Sequence, residues 1–364
     1  RWGNFFSFGG AYLISKENYF NISWVDMLKA KLSFGQNGND QIGYHLYTDT
    51  YDITNLNGDI ALTFRNKGNE NITWETRTAI NAGIEFELFN GRLQADLEYY
   101  NNKTTDMLAI VSVPYALGYS SYYANVGSMR NSGIEFDIRG DIIRTKDFRW
   151  SMNLNGSINK TKVLKLAEER TGETIYDPNG KAVAKGYSSG NYFYGEGLEY
   201  KTWYLKKFAG VNDEGQSTWY VHDPTTGEIS TTTTYSSASY FESGSSQPKI
   251  LGGFGGSVGW KSLELSFSFA YRLGGYAYDR GYASLMASPY SGHTGYGFHK
   301  DTYNAWTPEN TNANVPRWQY GDRYFTSASD RWLTKADYLN LQNVTLSYIV
   351  PRKLVQKVGI EGLM

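Results

Sequence analysis

The sequence predicts an all-β fold, a transmembrane antiparallel β-barrel, on three observations. Hydrophobicity alternates with period two in many short runs, short turns at one end of these runs oppose long polar segments at the other, and run lengths fit a bilayer. From 80 to 88 the even positions are Ile80, Ala82, Ile84, Phe86 and Leu88, and the odd ones are Asn81, Gly83, Glu85 and Glu87. Successive strand side chains point to opposite faces, so this run is a two-faced strand. Phe89-Asn90-Gly91-Arg92 follows, where Asn and Gly tolerate the positive φ of a type I′ turn. Leu93, Ala95, Leu97 and Tyr99 then alternate with Gln94, Asp96 and Glu98. The two-residue loop of this hairpin sets Glu87 opposite Gln94 and Glu85 opposite Asp96.

The same alternation returns at Ile134, Phe136 and Ile138 against Glu135, Asp137 and Arg139. After a connection of about seven residues it resumes at Trp150, Met152, Leu154 and Ile158 against Ser151, Asn153, Asn155 and Ser157. A third hairpin runs through Phe254, Gly256, Val258 and Trp260, turns at Lys261-Ser262, and returns through Leu263, Leu265, Phe267, Phe269 and Tyr271. Weaker alternation occupies 6–14, 28–34, 191–204, 217–221 and 338–350, and the last changes parity near Gln342-Asn343, as a bulge would. The count is about twelve strands.

Long polar segments fall at 35–77, 104–130, 161–189, 222–247 and 274–336. A soluble sandwich buries the apolar faces of both sheets together and rarely gathers such loops on one side. An outer-membrane barrel does gather them, with short periplasmic turns, apolar residues toward lipid and polar residues toward the lumen. About 11 residues at ~3.3 Å rise and ~40° tilt cover roughly 28 Å, enough for the apolar band. Composition agrees: 364 residues contain 39 Gly and 31 Tyr but 8 Pro and no Cys. A balance of 35 Lys+Arg against 36 Asp+Glu excludes nucleic-acid binding by bulk electrostatics. The absence of Cys removes thiol nucleophiles, disulfides and thiolate metal sites. Mean hydropathy is −0.51, and the longest uncharged stretch, 107–129, is broken by Pro114, Gly118 and Gly127, so a helical membrane protein is excluded. The chain opens at Arg1-Trp2-Gly3 and closes in an apolar run at Gly362-Leu363-Met364, and a bilayer tolerates no open strand edge. Both features read as part of a longer barrel.

Particular strings carry a resemblance. WETRTAINAGIEFELFNGRLQADLEYYNNKTTDML (74–108), NVGSMRNSGIEFDI (125–138), SINKTKVLKL (157–166), WTPEN (306–310) and SDRWLTKADYLNLQNVTLSY (329–348) resemble, in order, the SusC/RagA family of TonB-linked outer-membrane transporters. The resemblance implies a barrel of about 22 strands closed by an N-terminal plug in the outer membrane of a Bacteroidetes-type bacterium. Residues 1–364 are then a partial barrel domain, lacking the plug, the N-terminal strands and the final C-terminal strand. It further implies a SusD-like lipoprotein lid, energy from the TonB complex, contact with outer-membrane lipid, and import of a bulky nutrient, foremost an oligosaccharide. A RagA-type peptide importer is the alternative, and a dimer of transporter–lid pairs is compatible with either. From a different class, a soluble β-protein that binds or cleaves glycans is the distant alternative.

No catalytic residue, metal site or cofactor is expected. The four carboxylates Glu85, Glu87, Asp96 and Glu98 read as a lumen wall neutralised by Lys or Arg from neighbouring strands or the plug rather than as a glycosidase pair. Two G-x-S-x-G matches, at 186–190 and 255–259, lack the following helix of a nucleophile elbow. His293 and His299 have no standard zinc spacing, and Asn212-Asp213-Glu214-Gly215 and the run 223–228 read as turns rather than calcium loops. Tyr99, Tyr100, Trp150, Trp260, Tyr271 and Tyr348, near strand ends, suit the interfacial girdles. Tyr44, Tyr115, Tyr119, Tyr122, Tyr290 and Trp318 lie in the long segments and are the candidate substrate-binding residues, because aromatic faces stack on sugar rings.

Overall fold

The computed structural model describes residues 2–41, 43–56, 58–287, 297–322 and 324–350. The chain divides into two units. The first comprises 1–161, 248–274 and 337–364, and the second 162–247 and 275–336.

The first unit is built on one nine-stranded antiparallel sheet. Its strands, numbered in chain order, are β1 (Ser7–Leu13), β2 (Val25–Asn39), β3 (Glu75–Leu88), β4 (Leu93–Thr105), β5 (Ser128–Arg144), β6 (Phe148–Lys165), β7 (Ile250–Trp260), β8 (Leu263–Leu273) and β9 (Tyr338–Tyr348). Spatial order equals chain order, which is the up-and-down connectivity of membrane barrels. The alternation read from the sequence maps directly onto the two faces. Leu32, Ile84, Leu97, Ile134, Leu154, Leu265 and Leu346 form a continuous solvent-exposed apolar face. In water such a face would be a liability; against lipid it is the surface that holds the barrel in place.

The turns show why the register is unique. At the β3–β4 end Asn90 and Gly91 both take positive φ, and the expected pairs Glu87 with Gln94 and Glu85 with Asp96 are present. The ladder stops at Leu88 with Leu93, because Phe89 also turns over to positive φ and stacks on Trp24 at 5.6 Å. Asp26, the extra residue of a bulge in β2, accepts the Gly91 N–H at 3.0 Å and ties this turn to its neighbour. The β5–β6 connection is shorter than the alternation suggested. The ladder continues through Ile142 and Ile143 to Arg144, and Thr145 closes on Phe148 through backbone and hydroxyl. In β9 the pairing skips Gln342, the bulge expected from the parity change.

Of the about twelve strands expected, nine form this sheet among the described residues. The alternating stretches at 191–204 and 217–221 do not join it. A turn through Gly197, at φ +83°, separates the first into Tyr192–Gly195 and Thr202–Lys206, within a five-stranded sheet of the second unit. The second is the middle strand of a three-stranded sheet. Unlike the barrel sheet, this unit hides its large side chains from water: Ile175, Phe193, Leu205, Trp219, Phe241, Phe325 and Trp332 are all buried. It is a wet loop domain with its own core.

One girdle assignment changes. Adjacent strand residues point to opposite faces, so Tyr99 and Tyr100 cannot both meet lipid. Tyr99 is half exposed, whereas Tyr100 is buried on the polar face and lies over Gly133, where a Cβ would run into the Tyr100 hydroxyl and the Ile158 carbonyl.

Candidate functional site

The polar face of the barrel sheet is the first candidate. One cross-strand row aligns Lys29, Glu85, Asp96 and Asp137 on β2 to β5, and the next sets Lys31 beside Gly83, Glu98 and Glu135. Like charges directly opposed repel, and the sequence compensates with lysine at alternate positions of β2. Lys29 meets Glu85 at 2.5 Å, and Lys31 reaches past Gly83 to Asp96 at 2.6 Å. Gly83 leaves room along that path, since a Cβ there would stand 3.3 Å from the Lys31 Cε and 3.1 Å from the Leu97 carbonyl oxygen. Arg139 pairs with Asp137 at 3.1 Å. Three carboxylates of the acidic wall are thus paired with cations, Glu87 accepts from the Gln94 amide at 3.3 Å, and Glu85 and Asp96 are engaged by lysines of β2 rather than posed as an acid–base pair. Beyond it a groove of about 820 Å³ is lined by hydroxyls and amides, including Ser151, Asn153, Asn155, Ser257, Ser268 and Asn343. Such a wall offers many weak hydrogen bonds and no deep apolar anchor, a surface suited to passage of a hydrated solute.

The other chemical motifs have structural roles. Ser188 lies in the strand Ala182–Ser189 and Ser257 in the middle of β7, so neither stands at a strand-to-helix turn. Asn212 accepts the N–H groups of Glu214 and Gln216, and Asp223 those of Thr225 and Thr226, as turns require. These backbone donors hold the Asp223 carboxyl below the usual carboxylate range. His299 accepts the Asp301 N–H and packs edge-on against Tyr282; His293 lies outside the described residues.

The loop aromatics fall in separate places. Tyr44 is 92% exposed and lines a cleft of about 830 Å³ with His45, Tyr47, Glu70 and Trp74. Beside this cleft Lys67 and the Gly68 N–H hold the Asp49 carboxyl low. Tyr119 and Tyr122 meet edge-on at 6.4 Å, and Tyr119 also touches Phe64 of the hairpin formed by Thr50–Leu56 and Asp59–Asn66. Tyr115 starts a 3-10 turn, Tyr115–Leu117. Trp318, in the second unit, packs edge-on against Phe298 and Phe325, leaving 37% of its surface exposed. Tyr290 lies outside the described residues. The lysines of β2 belong to the alternation legible at 28–34, whereas the buried polar side chains of the second unit, such as Lys206 and His222, carry no motif that marks them in the sequence.

Comparison with known proteins agrees with this architecture. The model of the TonB dependent receptor-like β-barrel family matches residues 18–249. TonB-dependent receptor P26 of Formosa agariphila is 28% identical over 380 residues, covering 98% of this chain and 36% of the relative. TonB-dependent receptor SusC of Bacteroides thetaiotaomicron is 34% identical over 176 residues, covering 46% of this chain and 18% of the relative. The structure of the RagAB peptide transporter superimposes with a TM-score of 0.75 at 28% identity, covering 98% of this chain and 38% of that one. The RagAB peptide importer in its open-open state gives 0.78 at 27% identity, covering 98% and 37%. The chain thus spans little more than a third of the length of the relatives matched along nearly all of it. Nine lipid-faced strands in chain order, a polar inner wall and these matches lead to one conclusion: the chain belongs to the TonB-dependent receptor-like β-barrel family of the bacterial outer membrane, and forms part of such a barrel.

Proposed function

We propose that the protein imports a bulky nutrient, foremost an oligosaccharide, across the outer membrane, with energy from the TonB complex and with a SusD-like surface lipoprotein as its lid. The plug, the remaining strands and the TonB-contacting segment belong, in this reading, to the rest of the protein, and pairs of transporter and lid can assemble as dimers. The observation that carries the sugar reading is the set of exposed aromatic faces on the long-loop segments, with Tyr44 at a roomy cleft, since flat rings suit sugar faces. Tyr44, Tyr115, Tyr119, Tyr122, Tyr290 and Trp318 are the proposed contacts. The hydroxyl- and amide-lined lumen groove is compatible with a hydrated polyol.

Peptide import is the second reading, and a specific observation favours it: the solved structures of high similarity are described as a peptide transporter and a peptide importer. The two part company in growth. A deletion strain offered single glycans or peptides as sole nutrient loses growth on one glycan if the first reading holds. Normal growth on every glycan, with a defect on peptides, replaces the first reading with the second.

A further inference from the structure

We propose that a cavity within the second unit, between the strand Ser217–His222 and residues 317–322 with Tyr324, binds one ring of a neutral sugar; this rests on the oligosaccharide reading above. The cavity measures about 460 Å³, within the ~300–1,000 Å³ typical of small-molecule sites. Two of its lining side chains are buried polar groups with no hydrogen-bond partner among the described residues. Trp219 is 2% exposed and Ser217 5%, yet the indole Nε1 and the Ser217 Oγ are both unpaired. Their alternation along one strand puts them on the same face. A buried donor left unmade costs about 1–3 kcal/mol, so a native protein keeps such a pair only where something else satisfies it.

The remaining lining says what that partner is. Gln319, Arg317 and Asp322 are among the lining residues; the Arg317 guanidinium also donates to the Glu214 carbonyl at 3.1 Å and the Asp322 carboxylate accepts the Tyr324 N–H at 2.9 Å, so both charges are held at the cavity wall. Donors and acceptors are mixed and the two charges are opposite, which suits a neutral ligand rich in hydroxyls. Tyr324 supplies a ring that is 44% exposed and is backed by Tyr235, stacked at 6.1 Å and 28°, and by Trp219 edge-on at 6.0 Å. A fixed aromatic plate beside convergent polar groups matches the two sides of a pyranose, its C–H face and its hydroxyl rim. Burial pushes the Tyr235 phenol up to about 12, so it stays neutral, and its O–H donates to the Ala328 carbonyl at 2.7 Å, which locks the plate. None of these residues stands out in the sequence, because Trp219 and Tyr324 are brought together only by the fold.

The test uses the full-length transporter in detergent, titrated by calorimetry with short neutral oligosaccharides of the glucose, xylose and mannose series and, separately, with short mixed peptides. An oligosaccharide of the panel binds, Tyr324→Ala weakens it about tenfold, the factor given by ~1.4 kcal/mol, and Tyr324→Phe restores it because the ring remains. Trp219→Phe, which keeps the ring and removes the N–H, weakens it several-fold, and Ser217→Ala does likewise. Wild-type affinity in all of these variants overturns the cavity while leaving the oligosaccharide reading intact. Binding of peptides and of no sugar overturns both. Unchanged heat-dependent gel mobility certifies the barrel of each variant, and an unchanged limited-proteolysis pattern certifies the loop unit that holds Trp219 and Tyr324.

Discussion

Leu154 offers a direct perturbation of the barrel wall. It lies on β6, points to the lipid face, is 39% exposed and pairs across the sheet with Phe254. Its neighbour Asn153 points the other way, into the lumen groove. Six residues separate Leu154 from Phe148, where β6 leaves its short turn. At ~3.3 Å rise and ~40° tilt that places Leu154 about 15 Å from the turn, near the middle of a ~30 Å hydrocarbon core. An arginine at that depth on the lipid side costs about 2–4 kcal/mol, whereas on the lumen side its guanidinium stays in water. Leu154→Arg therefore lowers the stability of the full-length barrel in lipid vesicles by ~2–4 kcal/mol, and Asn153→Arg by under ~1 kcal/mol. Urea titration followed by tryptophan emission and by heat-dependent gel mobility measures both. Equal costs, or a larger cost for Asn153→Arg, would refute the assignment of the two faces.

Three other outcomes follow from the wall and the loop unit. Lys31→Met removes the 2.6 Å pair with Asp96 and exposes Asp96 to Asp137 directly across the ladder; with both side chains partly exposed, the loss is about 1 kcal/mol and shrinks as salt rises. Urea midpoints at low and high salt check this, and a salt-independent loss contradicts the ion-pair account. Gly133→Ala forces a methyl against the Ile158 carbonyl and the Tyr100 hydroxyl; backbone cannot yield as a flexible side chain would, so about 1–3 kcal/mol is lost. Tyr100→Ala in the same molecule recovers only part of it, since the carbonyl remains. Burial raises the Glu242 carboxyl, with Asp177 and Glu199 adding to the shift. A folded pKa above the unfolded 4.5 means that its contribution is fully present below about that pH and is lost as pH rises through the folded value. Glu242→Gln consequently raises the melting temperature at pH 7 and leaves it unchanged at pH 4, and the reverse pattern contradicts the sign.

The sequence made the barrel hairpins legible because period two is strict where one side must meet lipid and the other water. Pairs such as Glu85 with Asp96 and the skip at Gln342 could be placed before any coordinates, since turn length and parity determine register. The loop unit was opaque for the opposite reason. Its core draws Ile175, Phe193, Trp219, Phe241 and Trp332 from short strands and turns scattered over more than 150 residues, and even where alternation shows, around Phe193 and Trp219, the runs are too brief to tell a loop-unit strand from a barrel strand. Alternation at 191–204 was real but local, and the turn through Gly197 redirected it. The aromatics divide along the same line. Trp260 and Tyr348 sit exposed at strand ends as a girdle requires, but Tyr100 packs over a glycine on the other face. Tyr44 and Trp318 occupy different units, and a polar cavity of the loop unit is framed by Trp219 and Tyr324, which only the fold brings together. The negative mean hydropathy is now explained by this division: a wet loop unit and a polar lumen face outweigh the lipid-facing half of each strand.

The most direct measurement is a thiol scan of β8, using the full-length protein in lipid vesicles. Residues 1–364 contain no Cys, so once any Cys in the rest of the protein is replaced, single cysteines at each position from Leu263 to Leu273 can carry an environment-sensitive fluorophore. The account predicts a period of two, with Leu265, Phe267, Phe269 and Tyr271 emitting to the blue and quenched by lipid-borne quencher, and Glu264, Ser266, Ser268 and Ala270 quenched from water. Uniform aqueous quenching on both faces, or a protein that stays soluble without detergent, would contradict the membrane barrel outright.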